Sequence, residues 1–356
     1  MWPDRRALDL FQIELPIIQA PMAGSSDAEL AIAVSEAGGL GSLPCAMLSV
    51  DQTRAAYQII RQRTTRPVNL NFFCHSSPTP DANRERAWRT RLRPYYLEMG
   101  LDPDAATPVP SRAPFDDAMC ALVEELRPPV VSFHFGLPPT RILTRVKATG
   151  AKVLSSATTV EEARWLENEG VDAVIAQGFE AGGHRGMFLT SDVATQVGTF
   201  ALVPQVVDAV NVPVIASGGI ADARGIVAAL ALGACAVQIG TAYLQCPEAK
   251  TSPVHRVALS SAYDNDTVIT NVITGRPARG ILNRIVREQG PMNETAPPFP
   301  TAAAASVPLR QKAEGEKSGD FSPLWSGQSS RLTRPAPAAQ LTKEWAEAAL
   351  EKIRPT

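Results

Sequence analysis

Cysteine is scarce in this 356-residue chain, which has five, an odd number at no paired spacing. That excludes a disulfide framework and fits reduced thiols in a cytoplasm, with Cys45 and Cys235 reading as core fillers. An excess of either charge is missing too: 34 Lys and Arg stand against 36 Asp and Glu, a net of −2. No basic stripe is available for nucleic acid. No apolar run approaches the length needed to cross a bilayer, so a membrane is not an expected partner. The Met1 to Ala7 segment has early basic residues but no apolar h-region, so secretion is not indicated. Two nucleotide signatures are absent as well. Gly39 and Gly41 give only a partial G-x-G, with Pro44 where the third glycine should fall, and no P-loop lysine follows any glycine loop.

What the chain does have is a recurring apolar segment that ends in glycine or small residues. It occurs at 16–21, 39–44, 67–73, 130–136, 151–157, 171–176, 213–219 and 236–241. Helical patterns lie between, for example at 27–36, 159–169 and 221–232. Strict alternation of strand and helix demands a parallel sheet, and eight units predict an α/β fold of the closed (β/α)8 TIM-barrel type. The expected division is a barrel over 1–250, a small α+β domain over 251–325 covering the active-site face, and a helical segment over 326–356. Within that last segment, amphipathic 341–353 returns to the barrel wall. Asp81 to Phe115 is a long insertion with a charged, helical start and a Pro-rich end, either a lid or a solvated excursion. Pro297 to Pro308 reads as a flexible connector.

The most informative stretch is Gln177-Gly178-Phe179-Glu180-Ala181-Gly182-Gly183-His184-Arg185-Gly186, directly after the sixth strand. Its glycines allow tight turns and close approach to a ligand, and it presents a titratable histidine at the carboxyl end of a strand. The seventh and eighth strands lead into Ser217-Gly218-Gly219-Ile220 and Gln238-Ile239-Gly240-Thr241. Barrels commonly hold a phosphate on these two loops. Gly218, Gly219 and Gly240 leave backbone N–H groups unobstructed, Thr241 adds a hydroxyl, and Asp222 is placed to cap the helix behind. A single phosphate monoester suits this pattern.

The chain resembles the nitronate monooxygenases, formerly called 2-nitropropane dioxygenases, of class I. The resemblance runs through Gln19 to Gly24, Asn71 to His75, Val131 to Pro138, Gln177 to Phe188, the two late glycine loops and Asp320 to Gln328, nearly the whole chain. Parts of it also suit flavin-dependent enoyl-acyl-carrier-protein and quinone reductases, but Asn71 to His75 and His184 to Phe188 favour the nitronate class. The resemblance implies FMN as cofactor, with a nitronate and O2 as the small-molecule partners. By matching positions it implies flavin ligands Met22, Asn71, Gln177, Gly182, Gly183, Gly218, Gly219, Gln238, Ile239, Gly240 and Thr241. Asn71 and Gln177 would offer amides to the ring edge, and Met22 would pack beneath it or simply fill the core. His184 carries over as the catalytic histidine. It would serve as a base for a neutral nitroalkane, or as hydrogen-bond donor or cation for a nitronate.

His75, His134 and Arg185 are candidate substrate residues, and His255 reads as structural. Cys74–His75 has no second ligand pair at spacing, so no metal is expected. Class I enzymes usually place tyrosines and a lysine near the segment matching Phe299 to Lys312. This chain has Phe299, Arg310 and Lys312 there and no tyrosine, which leaves propionate 3-nitronate, the usual substrate, open. Tyr263, Arg276 and Arg279 are alternative sources of a carboxylate clamp. Two rival functions remain. One is an NAD(P)H-dependent reductase of the same barrel family. The other is a flavin-free, phosphate-binding lyase or isomerase, for which no strand-end lysine is found.

Overall fold

The computed structural model describes residues 2–105 and 112–353. The Pro-rich end of the 81–115 insertion therefore lies partly outside the described residues.

Eight strands form one parallel sheet: β1 (Ile17–Gln19), β2 (Gly41–Pro44), β3 (Val68–Phe73), β4 (Val130–His134), β5 (Lys152–Ala157), β6 (Ala173–Gln177), β7 (Val214–Ser217) and β8 (Ala236–Ile239). Their spatial order is β1-β8-β7-β6-β5-β4-β3-β2. A single bridge, Ile18 to Leu40, closes the seam between β1 and β2. There Leu40 N donates to Ile17 O and Gln19 N donates to Leu40 O, each at 2.9 Å. The barrel of the sequence expectation is thus present, and it follows from strands buried on both faces. All six residues of β3 are buried, and so are all four of β7. Inside it, Asn69 Nδ2 donates to Ser42 Oγ at 3.0 Å and Ser132 Oγ at 2.8 Å, a buried polar tie across three strands.

Helices form the outer ring, several started by a side-chain cap. Asp222 accepts from Arg224 N at 2.8 Å and Gly225 N at 3.4 Å. The last helix, Ala338–Ile353, returns to the wall between helices Ala28–Glu36 and Ala223–Ala231. Its Thr342 Oγ1 meets the buried Tyr243 hydroxyl at 2.6 Å.

A second layer covers the carboxyl ends of the strands. Helix Ala82–Glu98, from the insertion, buries Trp88, Leu92, Tyr95 and Tyr96 against Ile285, Leu309 and Phe321. A three-stranded antiparallel sheet joins Thr267–Thr270 to Ala278–Ile281, and Ala278–Ile281 to Gly183–His184. The expected flexible connector over 297–308 is corrected here. Residues Ala302–Gly315 are helical, with Ala302, Ala305, Ser306, Leu309 and Ala313 buried. Alanine has the lowest cost of helix formation, and packing offsets the bond that Pro308 cannot make. Trp88 Nε1 donates to Ala302 O at 3.3 Å and the Tyr96 hydroxyl to Ala305 O at 2.6 Å, pinning the helix to the insertion.

Candidate active site

One cleft of about 1270 Å³, counting its open mouth, lies at the carboxyl ends of the barrel strands. It is walled by strand-end residues such as Asn71, His134 and Gln177, by the two late glycine loops, and by Trp325, Gly327 and Ser329 from the C-terminal segment.

The catalytic-loop candidate is held on both sides. Gly183 has φ of 72°, which glycine alone adopts without strain, and it turns His184 into register with Ala278 of the small sheet. Sequence reading missed this pairing because two residues of strand leave no period to detect. Gln177 has both ends of its amide on this loop: Nε2 donates to His184 O at 3.0 Å, and Oε1 accepts from Gly186 N at 2.7 Å. His134 Nε2 also donates to His184 O, at 3.2 Å, while its Nδ1 accepts from Ser156 Oγ at 3.1 Å. Gln177 and His134 both line the cavity, yet what their polar atoms visibly do is fix the backbone of His184.

The His184 imidazole is half-buried among aromatic rings, 5.2 Å from Phe299 and 5.5 Å from Trp325 between centroids. Its Nε2 meets Thr274 Oγ1 at 2.9 Å. Burial, and next the Arg112 guanidinium, hold its pKa well below the usual histidine value. That direction favours the uncharged imidazole at neutral pH, the form suited to the base and hydrogen-bonding roles.

The late loops form a cradle. Among the described residues, the amides of Gly219, Gly240 and Thr241 donate to no backbone carbonyl. Gly218 and Gly219 have φ of 117° and 69°. The C-terminal segment closes the cradle: Gly327 N donates to Thr241 Oγ1 at 2.9 Å and Ser329 Oγ to Gly219 O at 2.7 Å. A Cβ on Gly182 would come within 2.5 Å of Gly327 N, so that approach requires glycine. Free N–H groups and a hydroxyl suit a phosphate, and the nearby Glu180 carboxylate is already taken up by Thr199 N and Oγ1, each at 2.7 Å. Met22 lines the same cavity with its Sδ beside Gly240, and Asn71 and Gln238 line it from their strands.

Three expected residues, Arg185, His75 and Ile239, sit elsewhere. Arg185 is fully buried but does not line the cavity. Its guanidinium donates to Gln177 O at 2.9 Å, Gly178 O at 2.8 Å and Gln196 Oε1 at 2.9 Å, bracing the loop from behind. Burial pushes its pKa down to about 9. His75 lies behind the wall, its ring edge-on to Phe299 at 4.7 Å, with burial lowering its pKa to about 4. Ile239 points its side chain into the barrel core. His255 does line the cavity, but its Nε2 donates to Trp325 O at 2.9 Å and so fixes the C-terminal segment. The alternative clamp does not form either. Tyr263 is exposed, Arg276 stacks 4.0 Å over Phe135, and Arg279 donates to Phe179 O and Thr267 Oγ1. The cation that does line the cavity is Arg112, which no sequence signal marked. Among the described residues, no group of three or more His, Cys, Asp or Glu is placed to hold a metal, and no helix is long and apolar enough to cross a membrane.

A family model for nitronate monooxygenase matches residues 5–347. The chain belongs to the nitronate monooxygenase family. Within that family it is 42% identical to a nitronate monooxygenase of Pseudomonas aeruginosa, over 95% of this chain and 97% of the relative. It is 40% identical to one from Paraburkholderia phytofirmans, over 96% and 93%. Among solved structures, a nitroalkane oxidase from Streptomyces ansochromogenes superposes with a TM-score of 0.88 at 38% identity, covering 97% of this chain and 98% of that one. FabK of Thermotoga maritima follows the same fold with a TM-score of 0.75 at 32% identity, covering 99% and 98%.

Proposed function

We propose that this enzyme oxidises alkyl nitronates, with FMN held in the cradle and O2 as electron acceptor, giving a carbonyl compound with nitrite or nitrate. Such an oxidation would detoxify the nitronate. The observation that carries this reading is a histidine, His184, set among aromatic rings and lining the same cavity as a nest of free amides. FMN, when bound, would supply the redox chemistry, taking electrons from the substrate and passing them to oxygen.

The chain's own part is binding, positioning and exclusion of water. Gly219, Gly240 and Thr241 would hold the phosphate, with Gly182, Gly183 and Gly218 giving the backbone room to approach. Met22, Asn71 and Gln238 would border the ring. Gln177 and His134 hold the His184 carbonyl, so the imidazole keeps its place while the cavity fills. A nitronate is already a carbanion and needs no base. A neutral nitroalkane does, and the uncharged His184 can take that proton. Phe73, Phe135 and Phe299, packed with ring centres 4.9 to 6.2 Å apart, keep water from the reacting carbon.

The likeness to FabK gives a reductase reading a specific basis, and one experiment separates the two. Flavin-loaded protein is titrated without oxygen, once with a nitronate and once with NADH or NADPH, while the flavin absorbance is followed. Bleaching by the nitronate with little response to the nicotinamide supports the oxidase reading. Bleaching by the nicotinamide alone overturns it in favour of the reductase. A protein that takes up no FMN ends both.

A further inference from the structure

Arg112 is the one permanent cation on the cavity wall among the described residues, and that wall carries no Asp, Glu or Lys. Its Nη1 is enclosed and, among the described residues, has no hydrogen-bond partner. The guanidinium lies 5.6 Å over the Phe299 ring, itself 5.2 Å from His184. The neighbouring cations are already engaged: Arg310 pairs with Glu314 at 2.9 Å and Lys312 with Glu316 at 2.8 Å. Burial first, and Arg310 second, lower the Arg112 pKa only to about 10, so it stays charged at neutral pH. A desolvated charge without a counter-ion is costly and calls for one from the ligand.

The phosphate cradle cannot provide it. The cradle follows β7 and β8, whereas Arg112 enters from the connection between β3 and β4, on the other side of the barrel. The nitronate's own charge is committed to the reacting group beside His184, so Arg112 calls for a second anion at the far end of the substrate. We propose that Arg112 is the specificity-determining residue of this site, holding a carboxylate on the far end of the substrate while the nitronate carbon lies beside His184. This rests on the nitronate-oxidising function proposed above. It assigns to the insertion the anion-holding role that the tyrosine-free 299–312 segment leaves vacant.

The test pairs two nitronates of equal length, propionate 3-nitronate and propyl-1-nitronate, on the FMN-loaded full chain. Arg112→Met removes the charge at similar volume, and Arg112→Lys keeps it. The ratio of kcat/KM for the charged over the uncharged substrate is expected to fall by at least about 30-fold in Arg112→Met and to recover in part in Arg112→Lys. Equal losses on both substrates, or no loss, would overturn the proposal. A second readout needs no turnover: calorimetric binding of 3-nitropropionate, whose only charge is the carboxylate, should weaken about 30-fold in Arg112→Met. Flavin content checks that each variant is folded. Arg112-dependent binding without nitronate oxidation by the wild type would sink the functional reading while leaving the clamp standing. Oxidation that shows no dependence on Arg112 would do the reverse.

Discussion

At Nε2, His184 meets the Thr274 hydroxyl, which in turn can donate at 3.5 Å to the Arg276 carbonyl. With the hydroxyl proton directed that way, Nε2 carries the ring proton and Nδ1 is left as the base. Replacing His184 with Asn should lower kcat/KM for a neutral nitroalkane by roughly 10²- to 10⁴-fold, the usual worth of a positioned base. The preformed nitronate should lose far less, and oxygen-uptake kinetics on both substrates would show it. Losses of equal size would assign His184 to binding instead. Thr274→Val frees the other tautomer and should cost about tenfold on the nitroalkane, as expected for one hydrogen bond. It should leave flavin content unchanged. His184 was legible in the sequence because its glycines and strand announce a site. Arg112 was not, since it stands on a Pro-rich loop with no periodic neighbours, and only folding brings it against Phe299.

Among the elements, the late glycine loops make the most direct claim. Gly218 has φ of 117°, and a Cβ there would approach Thr199 Oγ1 at 2.8 Å and Ala181 N at 3.1 Å. Gly218→Ala is expected to cost about 1–3 kcal/mol in backbone strain. The protein should purify with substoichiometric FMN, measured as the flavin-to-protein absorbance ratio, and full occupancy would argue against the cradle. The barrel strands could be read from sequence because burial on both faces makes each a continuous apolar run ending in small residues. Helix Ala302–Gly315 could not, since its alanines suit either a linker or a helix. What decides is contact with Trp88 and Tyr96, some 200 residues away in sequence. For the same reason Gln177 reads as a flavin ligand in the sequence, while in the structure its amide fastens a loop that the sequence leaves unplaced.

For the molecule as a whole, the four histidines, His75 and His255 buried and His134 and His184 half-buried, all have pKa values held below the usual histidine range. Burial is the first cause in every case, taking His75 and His255 to about 4 and His134 to about 3. An unfolded chain would take up protons near pH 6.5 that the folded one refuses until far lower. The stability is therefore complete above pH 6.5 and is lost as pH falls toward 4. At pH 5 each histidine forfeits on the order of 1–2 kcal/mol. Chemical denaturation at pH 7 and pH 5 should show a fall of several kcal/mol, smaller by about 1–2 kcal/mol, one histidine's share, when His255 is changed to a neutral residue that still packs. A flat profile between those pH values would contradict the desolvation of the four rings.

The C-terminal segment that seals the cradle has a bearing on biosynthesis. Gly327 and Ser329 reach back to Thr241 and Gly219, yet they belong to roughly the last tenth of the chain. A nascent polypeptide can finish all eight strands and still lack the residues that close around a phosphate. With the cradle holding the phosphate of the proposed FMN, its capture would be ordered after translation of the barrel strands. A chain stopped before residue 326 would lack both Gly327 at the cradle and helix Ala338–Ile353 in the wall, so the site and the barrel are completed by the same late stretch.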